Sequence, residues 1–348
     1  MKVSIVTIYD YFNHGNRLQN YALEKAIEKL GCEAETLALA PKKFMPFCFN
    51  LACAFPIMPV TLRLARSKKF TKQNLNSTDI TKLSMNKLSE REIDTAIIGS
   101  DQVFNPKYII NYDKTFLKFV PSEKRVAFSA SFGVSSLPEN LKQTFKDGLS
   151  GLREISIRET QGAEIAKELT GKEVSVIADP TFLLTKQDWE TFGDKAELKK
   201  KPKKKYIITY FLLPKKEYRQ KVKQLSKKFG LKVININNFF DKYCSATPQE
   251  FIELLKGAEF VCTNSFHGHA LSILLEKPFI SFPSVRSTGS RIKTLLKITG
   301  LENRNYQILK DEEIFEIDYS KTREKIANER EKGIAFLKNA LGLNKELS

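Results

Sequence analysis

The chain has 348 residues, 57 of them basic and 40 acidic, for a formal net charge of +17, with 42% hydrophobic and 28% charged side chains. That balance excludes a disordered or collagen-like chain, and the length suits two domains better than one. The five cysteines, Cys32, Cys48, Cys53, Cys244 and Cys262, contain no CxxC pair, so neither a disulfide framework nor a zinc ribbon is expected and a reducing cytoplasm fits.

The run KVSIVTIY opens the chain as a first strand and turns polar at Asp10 without the small-residue cleavage site of a signal peptide. His14, Gly15, Asn16, Arg17 and Gln19 then occupy a strand-to-helix loop, ahead of a helix expected over 18–30. The stretch 44–62 carries no charge and approaches spanning length, but Pro46, Pro56 and Pro59 argue against a transmembrane helix and for a buried hairpin or helix pair. Arg63, Arg66, Lys68 and Lys69 follow it, as the basic flank of an interfacial apolar segment would. Strands are expected at DTAIIGS, RVAFSASFG, EISIRE and EVSVIADPTFLL, with a helix over 137–149, an alternation that argues for a parallel α/β sheet.

Residues 195–232 hold 15 basic and 2 acidic side chains, a local excess of +13. The run KKKPKKK at 199–205 reads as an interdomain linker. The remaining charge lies on an amphipathic helix, where Tyr218, Val222, Leu225 and Phe229 share one face and lysines cover the others. Such a face either keeps a protein soluble or draws it to an anionic surface, a membrane before a nucleic acid. No zinc-finger spacing, RNP-like aromatic pattern or recognition-helix context accompanies it, so no nucleic-acid partner is expected.

Alternation resumes with YIITYFLL, KVININN, AEFVCTNS and PFISFP, separated by helices over 215–229, 248–257 and 268–276, and a last helix is expected over 322–341. The expected fold is α/β, two Rossmann-like domains facing a cleft. An N-terminal unit spans 1–194, a basic linker 195–205, a C-terminal unit 206–320, and a terminal helix and tail 321–348.

Sheets of this kind place ligands beyond the carboxyl ends of their strands, and the polar motifs of this chain fall at such junctions. Asn264, Ser265, His267 and Gly268 precede an apolar helix; His267 there is either a general acid or anion donor, or part of a helix cap. His269 reads as a helix-surface or packing residue. Ser100 and Asp101 end a strand and serve as cap or cleft ligand. Arg158 and Arg291 are each an anion clamp or a salt-bridge partner, and Asp179, before Pro180, reads as a turn or cap. There is no GxGxxG, P-loop, GxSxG or HExxH, and three histidines with unpaired cysteines make no metal site.

In order and spacing, NHGNRLQNYAL, IIGSDQVFNP, SASFG, SIRE, ADPTFLL, TNSFHGHALSILLEKPFI and SRIKTLL resemble the polysaccharide pyruvyl transferase family over about 1–301. The resemblance implies a GT-B-like architecture, no cofactor, and transfer of a pyruvyl group from phosphoenolpyruvate to a sugar diol, forming a ketal. It implies a glycan or lipid-linked saccharide acceptor in cell-envelope or exopolysaccharide assembly; in a cytoplasmic enzyme of that kind the basic surface would have a use in peripheral contact with the anionic inner membrane face. It makes His267 and Arg158 the catalytic candidates, His267 as proton donor or phosphate ligand and Arg158 as donor clamp. Asn16, Gln19, Ser100, Asp101, Asn264, Ser265, Gly268 and Arg291 are the substrate-binding candidates. Where better-understood members carry arginine and leucine before the HG pair, this chain has Ser265 and Phe266, so one anion-binding charge is missing there. A nucleotide-sugar glycosyltransferase of GT-B type and a non-catalytic anionic-polymer or membrane-binding protein are the competing readings.

Overall fold

The computed structural model describes residues 1–40, 59–198, 200–213, 215–284 and 289–346. Most of the apolar stretch 44–62 lies outside the described residues; its end, from Pro59, opens a helix Pro59–Asn74. Arg63 and Arg66 on that helix are not a free basic flank. Arg63 is buried against the backbone oxygens of Phe12 and Ile236, and Arg66 pairs with Glu250 at 2.7 Å.

Two parallel sheets organise the described chain. The first has seven strands, β1 (Lys2–Ile8), β2 (Glu33–Leu39), β3 (Ser77–Asp79), β4 (Thr95–Ile98), β5 (Arg125–Ala130), β6 (Glu154–Ile157) and β7 (Ser175–Val176), in the order β3-β2-β1-β4-β5-β6-β7. The second has four, β8 (Tyr206–Tyr210), β9 (Lys232–Asn235), β10 (Phe260–Thr263) and β11 (Phe279–Ser281), in the order β11-β10-β8-β9. Every strand pair is parallel. Helices cover the faces, as buried parallel strands require.

The sequence reading omits β2 and β3. EAETLAL in β2 is built from good helix formers, and only its pairing with β1 over the whole of both strands makes it extended. The first helix, His14–Lys29, begins four residues earlier than expected, because the Asn13 side chain accepts the Asn16 N–H and caps it. In ADPTFLL the chain turns at once: Asp179 caps a short 3-10 helix, Pro180–Leu183.

The units interlock. Trp189 and Phe192, from the Lys186–Asp194 helix, share a core with Phe251, Leu254 and Leu255 beneath the second sheet. The terminal helix, Ser320–Ala340, returns to the first sheet, where Leu337 and Ala340 pack with Val3, Ile5 and Phe128. On the Lys216–Phe229 helix, Tyr218, Val222 and Leu225 are buried as expected. Part of its basic face is neutralised, however, by Asp311 and Glu312, which pair with Lys221 and Lys228.

Candidate active site at the interdomain cleft

Strand order reverses between β1 and β4 in the first sheet and between β8 and β10 in the second, and these are the points where such sheets open a crevice at their carboxyl edge. The two crevices face each other. From the first, Asn16 donates its side-chain amide to Ile8 O at 3.1 Å and to Asp101 Oδ2 at 2.7 Å. Asp101 has φ of 68°, a left-handed conformation costly for a side chain with a Cβ, and here it is over-determined by Asn16, Arg158 at 3.5 Å and Arg291 at 4.0 Å. From the second, Asn264 clasps the end of β8: it accepts the Leu212 N–H at 2.7 Å and donates to Leu212 O at 3.1 Å.

The helix Phe266–Leu274 then starts with its cap position filled by Ser265, whose hydroxyl makes no capping bond. The Ser265 N–H is taken by Thr263 Oγ1 at 3.0 Å. His267 lies against the backbone of Gly15 at the start of the first helix. Its Nε2 is 3.5 Å from Asp179 Oδ2, a charge contact too long for a well-formed hydrogen bond, and has no hydrogen-bond partner among the described residues. Asp179 is buried with both oxygens engaged. Oδ1 accepts from Thr181 N and Oγ1 at 3.0 and 2.8 Å, and Oδ2 from Arg158 Nη1 at 2.5 Å and Ser100 Oγ at 3.4 Å. The Arg158 guanidinium also stacks over the Phe266 ring, 4.4 Å from its centre.

Burial pushes the Asp179 carboxyl up, but His267, Arg158 and the Thr181 N–H together hold it well below the ordinary carboxylate range. Asp101 behaves in the same way: burial opposes ionisation, and Arg158, His267 and Arg291 outweigh it. Burial, with Arg158 beside it, brings Arg291 down to about 10. The cluster thus sets two buried aspartates, with buried Glu159 near by, against two buried arginines and a histidine.

A cavity of about 450 Å³ lies over this cluster, and of the expected substrate-binding residues Asn16, Asp101, Asn264, Ser265 and Arg291 line it, with His267. Four expected site residues do not. Arg158 lies behind it with both terminal nitrogens engaged by aspartates. Ser100 donates to Ser129 O at 2.7 Å, and Gln19 folds back on Asn16 O at 3.1 Å. Gly268 serves packing rather than ligand approach, since a methyl group there would sit 2.2 Å from Thr263 Oγ1. His269 is a packing residue as expected, with its ring nitrogens 2.7 Å from Ser265 O and 2.8 Å from Ser281 Oγ. Two site residues escaped the sequence reading: Asp179, whose capping role hides its ion pairs, and Gly15, the seat of the His267 ring.

Among the described residues no three His, Cys, Asp or Glu side chains are grouped to hold a metal ion, and no helix is long and apolar enough to cross a membrane.

Searched against solved structures, the chain is similar over its whole length to sugar-nucleotide enzymes. UDP-GlcNAc 2-epimerase from Neisseria meningitidis, bound to UDP-GlcNAc, superposes with a TM-score of 0.54 at 12% identity, covering 99% of this chain and 100% of that one. The UDP-GlcNAc 2-epimerase of Methanocaldococcus jannaschii gives 0.53 at 12% identity, covering 97% and 99%. At such identities the likeness concerns the fold alone, two Rossmann-like units facing a cleft in the GT-B manner. A search of curated proteins finds no match. Residues 13–284, however, match the family described as Polysaccharide pyruvyl transferase, a span that begins just after β1 and holds the second switch point, Asp179 and the His267 helix. The chain is therefore a transferase that belongs to the polysaccharide pyruvyl transferase family.

Proposed function

We propose that the enzyme transfers the pyruvyl group of phosphoenolpyruvate to two hydroxyls of one sugar in a cell-surface polysaccharide or its lipid-linked precursor, forming a cyclic ketal and releasing phosphate. The observation that carries this reading is the pairing, at one cavity, of a buried histidine poised over a carboxylate with a buried arginine whose Nε is unpartnered among the described residues.

The chemistry needs a proton and an anion clamp. Protonation of the donor's methylene carbon makes it a methyl group and leaves C2 electrophilic; one sugar hydroxyl adds to C2, the C2–O bond to phosphate breaks, and the second hydroxyl closes the ring. Of the two hydroxyl protons released, one replaces the proton delivered to the methyl group and the other leaves with phosphate. His267 is the proton donor, with its Nε2 3.5 Å from Asp179. Arg291, at the cavity wall, takes the donor's phosphate or carboxylate and supplies the cation that Ser265 does not. Arg158, held behind the cavity, is a positioning residue that fixes Asp179 and Asp101. Ser265, whose hydroxyl makes no capping bond, is left for a sugar hydroxyl, while Asn16 and Asn264 shape the cavity wall with their amides held by the protein.

Calorimetric titration of phosphoenolpyruvate into the wild type, His267→Ala and Arg291→Ala, with UDP as comparator, tests the reading. Saturable binding that weakens about tenfold or more in Arg291→Ala is the expected result. Binding of UDP with none of phosphoenolpyruvate would move the assignment to nucleotide-sugar transfer.

A further inference from the structure

Exposed large apolar side chains cluster where they are not needed for folding. Phe240 is 98% exposed and Phe239 45%, on the turn that leaves β9, while Leu213 is 58% and Leu212 37% exposed on the bend that leaves neighbouring β8. Both segments therefore emerge at the carboxyl edge of the second sheet, where the cleft opens, and Leu212 itself lines the cavity.

The Phe239–Phe240 turn is built, not loose. Asp241 accepts the N–H groups of Asn235 and Tyr243 at 2.8 and 2.9 Å, and Asn238 accepts that of Phe240 at 3.2 Å. The Asn237 side chain ties the turn to the β8 bend through Phe211 O at 2.8 Å, and Arg63 binds the same turn from the first unit. A turn held by this many internal bonds presents two aromatic rings to solvent by construction, and paired exposed rings of this kind mark a surface that meets something apolar.

The surrounding charge says what that is. Lys215 and Lys216 stand at the start of the helix that follows the bend, and Lys242 directly follows the aromatic turn; all three are exposed, and neither Lys216 nor Lys242 forms an ion pair among the described residues. Asp241, the acid within the turn, is engaged by backbone N–H groups. Lys215 pairs with Glu217 at 3.6 Å and Lys242 lies over the Tyr243 ring, but all three stay at the surface, and rings flanked by exposed lysines match an interface of acyl chains beneath anionic headgroups.

We propose that the Leu212–Leu213 bend and the Phe239–Phe240 turn form a docking edge that seats the mouth of the cleft on an anionic lipid bilayer. The basic run at 199–205 is not this edge, because Lys205 bonds to Lys232 N at the opposite, amino end of the sheet. The edge's use in reaching a lipid-linked acceptor rests on the pyruvyl-transfer reading, whereas its affinity for lipid does not.

The test is co-sedimentation of the full chain with vesicles of phosphatidylcholine alone and of equimolar phosphatidylcholine and phosphatidylglycerol, run beside the phosphoenolpyruvate titration. The wild type is expected to bind the anionic vesicles in preference. Phe239→Ser and Phe240→Ser should each weaken that binding about tenfold, and Lys216→Gln with Lys242→Gln should make it less salt-sensitive. Phe240→Ser should keep the wild-type melting temperature and donor affinity, since its side chain is in solvent. Three outcomes overturn the proposal: no vesicle binding by the wild type, vesicle binding unchanged by both phenylalanine variants, or self-association in sedimentation velocity that Phe240→Ser abolishes, which would give the edge to a second copy of the chain. Lipid binding without phosphoenolpyruvate binding would leave the edge standing and remove the donor assignment.

Discussion

The imidazole of His267 rests on the backbone of Gly15, so closely that a methyl group at position 15 would sit 2.1 Å from its Cγ. The two residues come from opposite sides of the cleft, and the contact sets how far the His267 ring stands from the first unit. A Gly15→Ala substitution favours the helix by propensity, yet it must push the ring away from its place beside Asp179. Displacements of about 1 Å at a reacting group cost on the order of a hundredfold in rate. Gly15→Ala should therefore lower phosphate release from phosphoenolpyruvate by about that factor. In a double variant with His267→Ala the second loss should be much smaller than the first alone. Additive losses in such a cycle would show that Gly15 does not act through the ring.

Asp179 carries a pH dependence with a defined sign. Its carboxyl is held below the ordinary range in the folded protein, so the unfolded chain binds a proton there more readily than the native one. The stability it contributes is complete above the unfolded value of about 3.9 and drains away as the pH falls below that. Asp179→Asn removes the titration and leaves Arg158 buried with one anion fewer, a change expected to cost about 3–5 kcal/mol near neutrality. Thermal melts across the acid range should show the gap between wild type and variant narrowing below about pH 4. A gap that stays constant would mean that Asp179 is not the ionised partner of Arg158.

Much of this was legible in the sequence because parallel α/β units announce themselves through apolar strand runs and polar junctions. NSFHG and GSD both stand where the strand order reverses, and junction position together with the family resemblance nominated His267, Asp101 and Asn16. What sequence could not supply was direction. Arg158 follows its strand just as Asp101 does, but it turns behind the cavity because Asp179 and the Phe266 face hold it there. Gly268 stands next to the histidine in sequence, yet Gly15, more than 250 residues earlier, provides the space beside it. β2 was missed since its residues prefer a helix in isolation and only long-range pairing overrules them.

Arg63 supplies the last test, of the coupling between the units. Its guanidinium donates to Phe12 O at 2.6 Å on the first unit and to Ile236 O and Asn237 Oδ1 at 3.1 and 3.0 Å on the second, and the arginine itself is buried. Removing it takes a donor from each of these acceptors and loosens the segment that shapes one wall of the cleft, at a cost of about 3 kcal/mol. Arg63→Ala should lower the melting temperature in calorimetry. Arg63→Lys, which retains charge but not the forked geometry, should recover only part of the loss. An unchanged melting temperature in Arg63→Ala would mean that the shared core around Trp189 and Phe251, rather than this buried arginine, joins the two units.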